Sequence, residues 1–184
     1  MRNSFSKAAK YFSKANRIRE QHNGGVYYVT DGFAAMEVPA AALPLLTAEC
    51  GFIQPCDDGT GLDIWTGKLE TVPTKILLPL DKYFNQDDAE TVTATHVSVT
   101  VVDPHKKPLR LSLFTGHGIV TALDEKKVDP FAEFAGKYIT AKDAISPVVF
   151  SAGLYGVRFM VMPCKLSENE KQTFRAVAAA LPTK

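Results

Sequence analysis

Three cysteines in 184 residues, Cys50, Cys56 and Cys164, are too few and the wrong parity for a disulfide framework. With no secretory leader they point to reduced thiols. The opening MRNSFSKAAKYFSK has no apolar core or small-residue cleavage site. No apolar run approaches the ~18 residues of a spanning helix. The expected location is the cytoplasm, with no membrane partner. Excess charge is also lacking. Lysine and arginine number 21 against 20 acids, a formal net charge of +1, so no overall field draws the chain to nucleic acid.

Chemistry-bearing motifs are equally sparse. His22, His96, His105 and His117 are scattered, and Cys50 and Cys56 have no second pair, so no metal is expected. Asp57, Asp58 and Asp63 lack the alternating oxygen ligands of a calcium loop. There is no Walker loop, no G-x-G-x-x-G and no G-x-S-x-G elbow. Cys164 beside Lys165 sits in a strand pattern and reads as a structural thiol. The expectation is a chain with no cofactor that is not an enzyme. A dispersed catalytic site is the enzymatic alternative that motif logic leaves open.

What is present is an ordinary globular composition, 46% hydrophobic and 22% charged. Phe5, Ala8, Ala9, Phe12, Ala15 and Ile18 recur at helical spacing and predict an amphipathic helix over 4–19. Its other face carries Lys7, Lys10, Lys14 and Arg17. Across the first twenty-two residues Arg2, these four and Arg19 face one acid, Glu20. A local basic stripe on a neutral chain is the charge pattern that neutralises phosphates; it is also the pattern of a plain solvated face.

Val26–Val29 and Phe33–Val38 read as strands around the turn Thr30-Asp31-Gly32. A short helix over 40–48 is limited by Pro44. From about 40 to 90 the chain reads as a loop-rich insertion; between Glu49 and Glu90 it carries nine acids against three bases. Strand candidates there are Leu62–Trp65 and Lys75–Leu78. Thr91–Val102, Leu109–Phe114, Ile119–Leu123, Val148–Phe150 and Val157–Met162 complete the strands, with hairpin turns at 103–105 and 115–118. Ser167 and Glu170 form a capping box, and Phe174, Val177, Ala178 and Leu181 give the following helix an apolar face. The class is α+β with antiparallel sheets, as a single domain over 1–184 with a C-terminal helical extension over 167–184.

Val161-Met162-Pro163-Cys164-Lys165-Leu166 resembles the closing V-M-P-M-R-L of the bacterial DNA polymerase III β subunit, the sliding clamp. Ser146-Pro147-Val148-Val149-Phe150 resembles the strand before that ending, and Thr30-Asp31-Gly32 the clamp's A-T-D-G-H-R-L segment. The resemblance covers about 1–39 and 131–166. Phe33 and Ala34 stand where clamps have His and Arg, Cys164 where they have Met, and the chain continues beyond Leu166.

The resemblance implies a DNA-clamp-like fold, helices packed on antiparallel sheets, and a role in DNA replication as an accessory protein of the processivity-factor kind. It implies that Lys7, Lys10, Lys14, Arg17 and Arg19 face double-stranded DNA. It implies that Thr30, Asp31, Gly32, Met162, Pro163, Cys164 and Leu166 form a pocket for a hydrophobic peptide of a polymerase or other replication protein. A closed ring would need several copies, hence a homo-oligomer. The second expectation is a protein-interaction module that keeps the clamp fold without DNA, its pocket capped by the last helix.

Overall fold

Strand begins where the sequence pattern expects helix to continue. The computed structural model describes residues 7–8, 10–49, 56–65, 70–102, 107–132, 138–151 and 156–180. Helix α1 occupies residues 7–8 and 10–12; Lys14 N–H and Ala15 N–H then donate to the carbonyls of Tyr11 and Phe12 (3.2 and 3.0 Å) and close it. Arg17–Asn23 is strand β1, so the helix expected over 4–19 is too long at its C-terminal end. The cause is tertiary: β1 lies between β2 (Val26–Thr30) and β4 (Thr60–Trp65), antiparallel to both. Arg, Glu and Gln are good helix formers, but intrinsic propensity is small per residue, and ladder bonds to two neighbours override it. Arg2, Phe5 and Ala9 lie outside the described residues, as do Cys50 and the turn at 103–105.

The other elements follow in order. Strand β3 (Ala34–Pro39) leads through a 3₁₀ turn at Ala40–Ala42 into α2 (Leu43–Glu49). Pro44 sits in the first turn of α2, where its missing N–H has no partner to lose. Strand β5 (Glu70–Thr74), α3 (Leu80–Phe84), β6 (Glu90–Thr91) and β7 (Thr93–Val101) come next. Then come β8 (Leu109–Gly116), β9 (Ile119–Asp124), α4 (Glu125–Ala132), β10 (Tyr138–Ala141), β11 (Val148–Ser151), β12 (Arg158–Val161) and α5 (Glu168–Ala180). Lys75–Leu78, expected as strand, is not one. The buried Gln21 amide pins it to β1 instead, donating to the Leu78 carbonyl (2.8 Å) and accepting from its N–H (2.9 Å).

Nine strands form one antiparallel sheet in the order β5-β4-β1-β2-β3-β12-β11-β10-β6, and β7-β8-β9 form a second. The large sheet is built from a repeated unit: α1 then β1-β2-β3, and α4 then β10-β11-β12. The two third strands pair with each other, Phe159 opposite Met36 and Val161 opposite Ala34, so the order reads outward alike from the β3–β12 seam. Arg158 clamps that seam through a two-pronged bond to Glu37 (2.6 and 2.8 Å). Its guanidinium also donates to the Phe84 carbonyl (3.1 Å) and Asn85 Oδ1 (2.9 Å), tying α3 to the seam.

Strand alternation sorts the core into two layers. Ala34, Met36, Val38, Val148, Phe150, Phe159 and Val161 face α1, α4 and the small sheet. Tyr28, Ala35, Val149 and Met160 face the opposite way, onto Leu80 and Phe84 of α3. At the hairpin between β8 and β9 a Cβ on Gly116 would stand 2.4 Å from the Thr91 carbonyl oxygen, so the tip approaches β6 too closely for any side chain. A third cluster joins Leu111, Leu113 and Ala122 of the small sheet to Phe174 of α5. The capping box forms as read, Ser167 N–H and Oγ both meeting the Glu170 carboxylate (2.7 and 2.6 Å).

Candidate nucleic-acid interface

Helix α1 turns Ala8 and Phe12 inward, both fully buried, and so leaves Lys7 and Lys10 outward, with Lys14 in the turn beyond. Across from it stands α4, which begins where Asp124 accepts the Lys126 N–H (3.0 Å), as an N-cap aspartate does. Val128 and Phe131, three apart, bury one face of α4. Two aromatic contacts join the two helices, and a third fixes α4 on the sheet. Phe131 stacks on Phe159 of β12 (centroids 4.8 Å) and meets Tyr11 and Phe12 of α1 at 5.4 and 6.1 Å.

Between the helices lies an open groove of about 650 Å³, lined by Lys7, Lys10, Tyr11, Lys14, Ala15, Asp31, Lys126, Asp129 and Pro130. Four ammonium groups thus border it against two carboxylates. Asp31 is committed to the turn beside it. Its side chain accepts Tyr11 Oη–H (2.8 Å) and the N–H groups of Phe33 and Ala34 (both 2.8 Å). Burial, and then the Asp31 carboxylate, push the Tyr11 phenol far above its ordinary value. That phenol stays protonated, a hydrogen-bond donor and not a base.

The five cations expected on one helical face are divided. Lys7, Lys10 and Lys14 border the groove, whereas Arg17 and Arg19 lie on β1 because the chain has turned into the sheet. Arg19 forks onto Asp63 of β4 (2.9 and 2.8 Å), and Arg17 Nη2 reaches the same carboxylate at 3.0 Å. Those guanidinium bonds hold Asp63 below the usual carboxylate range, Arg19 first, against an opposing effect of burial. Arg17, Arg19 and Asp63 line a neighbouring cavity of about 220 Å³ with Thr30, Asp31, Gly32 and Leu78. Asp31 borders both cavities.

Lys126 is the residue that sequence reasoning missed. Its signal was there: Asp124 in the capping position followed by Val128 and Phe131 at helical spacing. Pro130 and the paired lysines hid it, because a proline six residues into a helix removes a backbone donor.

The residues expected in a peptide pocket are brought together in part. Gly32 at φ +90° makes the turn that only glycine adopts easily. Thr30 Oγ1 locks it, accepting the Gly32 N–H (3.0 Å) and donating to the Ala34 carbonyl (2.7 Å). Met162 N–H donates to the Phe33 carbonyl (2.8 Å), which sets Met162 and Pro163 beside the turn. The chain then leaves it. Cys164 N–H donates to the Ala122 carbonyl (2.9 Å), and Cys164 and Leu166 pack with Val177 against the small-sheet cluster. Burial pushes the Cys164 thiol up, so it is held as a neutral thiol. Among the described residues no three His, Cys, Asp or Glu side chains are grouped to hold a metal, and no helix is long and apolar enough to cross a membrane.

No protein-family model and no curated protein matches the sequence. The structure is similar to bacterial sliding clamps. Against the DNA polymerase III subunit beta from Pseudomonas aeruginosa the TM-score is 0.45 at 12% identity, covering 90% of this chain and 65% of that one. Against a sliding clamp (DNA polymerase III subunit beta) from Bartonella birtlesii, bound to griselimycin, it is 0.40 at 11% identity, covering 85% and 60%. The chain thus spans less than two thirds of either clamp.

Proposed function

We propose that this chain is a non-catalytic, clamp-like accessory protein that holds DNA by its phosphates in the groove between α1 and α4. The observation carrying this reading is the convergence of Lys7, Lys10, Lys14 and Lys126, from two helices, on one open groove of a near-neutral chain. Phosphates taken up there release counterions, so binding is tolerant of sequence and steep in salt. The lysines are supplied by elements that the aromatic contacts fix, which favours a preformed track. The setting we propose is cytoplasmic, on the strength of an odd set of thiols. Reversing Lys7, Lys10 and Lys126 to glutamate is expected to weaken binding about equally for unrelated DNA sequences. It should also flatten the log–log salt dependence by about one per lysine. Fluorescence anisotropy across a salt series measures both. A wild-type chain that binds no DNA at low salt sinks the reading.

A second reading rests on the seam where the Thr30-Asp31-Gly32 turn meets Met162. A hydrophobic peptide of a replication protein would dock there, with α5 covering the adjoining Cys164 and Leu166. Phe174, 2% exposed, is the main anchor of α5. Phe174→Ala is therefore expected to raise affinity for such a peptide several-fold, read by calorimetry. Unchanged affinity removes α5 as a cover.

A further inference from the structure

Two large aromatic rings stand out of the core beside the basic surface, and each carries a cation. Phe33, at the tip of the turn after Gly32, is 57% exposed, with Lys127 Nζ 3.8 Å from its ring centroid. Trp65, at the end of β4, is 37% exposed, with Arg17 Cζ 4.9 Å from its ring. Each ring has a neighbour in the wall of the 220 Å³ cavity. Arg17 pairs with Trp65 across β1–β4 and lines the 220 Å³ cavity, whose wall also includes Gly32, the neighbour of Phe33. That cavity shares Asp31 with the lysine groove, and Lys127 follows the groove's Lys126. The basic surface thus continues from the groove between α1 and α4 through Asp31 and Gly32 to Arg17 and the Trp65 ring beneath it.

Neither ring belongs to a core cluster. Phe33 follows a turn that Thr30 and Asp31 already fix, and Trp65 stands at the strand end, outside both core layers. A duplex would meet only the charges, because its bases are stacked inside. An unpaired strand offers each ring a base in place of the cation now over its face, and offers the displaced cation a phosphate, the combination found in sequence-tolerant single-strand binders.

We infer that the track past the turn binds single-stranded nucleic acid, with Phe33 and Trp65 as stacking platforms and Lys127 and Arg17 as their phosphate partners. This rests on the groove reading and narrows it. It leaves Arg19 as a positioning residue, because both prongs of its fork are spent on Asp63 and orient the β1–β4 edge that presents Trp65. The more exposed Arg17 reaches that carboxylate through Nη2 alone and keeps its other donors for a phosphate.

Trp65 is the sole tryptophan of the chain, so its emission reports directly on the site. The full chain is titrated with an oligo(dT) strand and with a duplex of equal length, following tryptophan emission and, with labelled DNA, anisotropy. The expected result is tighter binding of the single strand with quenching of Trp65, and little quenching by duplex. Phe33→Ala and Trp65→Ala should each weaken single-strand binding roughly 5- to 150-fold while leaving the salt slope unchanged, and Phe33→Tyr should restore it. Both sites are exposed, and unchanged circular dichroism excludes misfolding. Equal or tighter duplex binding, with steady emission and unaffected ring variants, overturns the inference and leaves the groove reading standing. No binding of either form at low salt overturns both.

Discussion

Arg158→Met is expected to remove about 3–5 kcal/mol of stability, the range for stripping one partner from a buried ion pair. Glu37 is left behind with its carboxylate inside the sheet, 6% exposed, facing the methyl end of a side chain that cannot donate. The same change releases the bonds to Phe84 and Asn85, so α3 loses its tie to the seam. For a chain of this size the loss should appear as a fall of roughly 6–20 °C in Tm. The double variant Glu37→Leu, Arg158→Met should recover much of it, since no orphaned charge then remains. Denaturant unfolding of the three variants checks this. A single variant that loses under about 1 kcal/mol would show that the pair is solvated and not part of the seam.

Phe131→Ala is expected to cost about 3–5 kcal/mol, as truncating a fully buried phenylalanine does. It has a second consequence that most core truncations lack. Phe131 is the ring through which α4 meets Tyr11 and Phe12 of α1 as well as Phe159 of β12. Its loss should loosen the spacing between the lysines of the two helices. DNA affinity should therefore fall, although no charge is removed and the salt slope is kept. Urea unfolding and anisotropy on the same samples separate the two effects. Full affinity in a destabilised variant would mean that the groove tolerates helix movement.

Local turn chemistry was the most readable part of the sequence. The Thr30–Gly32 turn, the hairpin at 115–118 and the Ser167–Glu170 capping box are each set by residues a few positions apart, and each forms. The strand from 17 to 23 was not readable. Arg-Ile-Arg-Glu-Gln continues a helical charge pattern, and only the neighbours β2 and β4, distant in sequence or not yet formed, convert it into sheet. Tyr138–Ala141 escaped for a similar reason, being four residues long and paired with β6 and β11. The site divides the same way. Lys7, Lys10 and Lys14 were legible as a basic face. That Lys126 joins them, while Arg17 and Arg19 turn to Asp63, depends on contacts spanning 44 residues or more. The resemblance to clamp motifs set the turn and the Met162 segment side by side, and the amphipathic helix after Ser167 was legible as a cap over that segment, of which Cys164 and Leu166 pack with Val177 of α5.

The β3–β12 seam also has a consequence for how the chain reaches its fold. Arg158 and Glu37 are 121 positions apart. Each helix-and-three-strand unit can assemble from contacts close in sequence, whereas the seam requires closing a very long loop, which is entropically slow. Until it closes, β3 and β12 are both open sheet edges. Ala34–Val38 is buried throughout in the finished protein and so offers a continuous sticky edge beforehand. A newly made chain therefore passes through an interval in which its most interior strands are its most exposed, and a second copy competes with its own C-terminal half for the same edge.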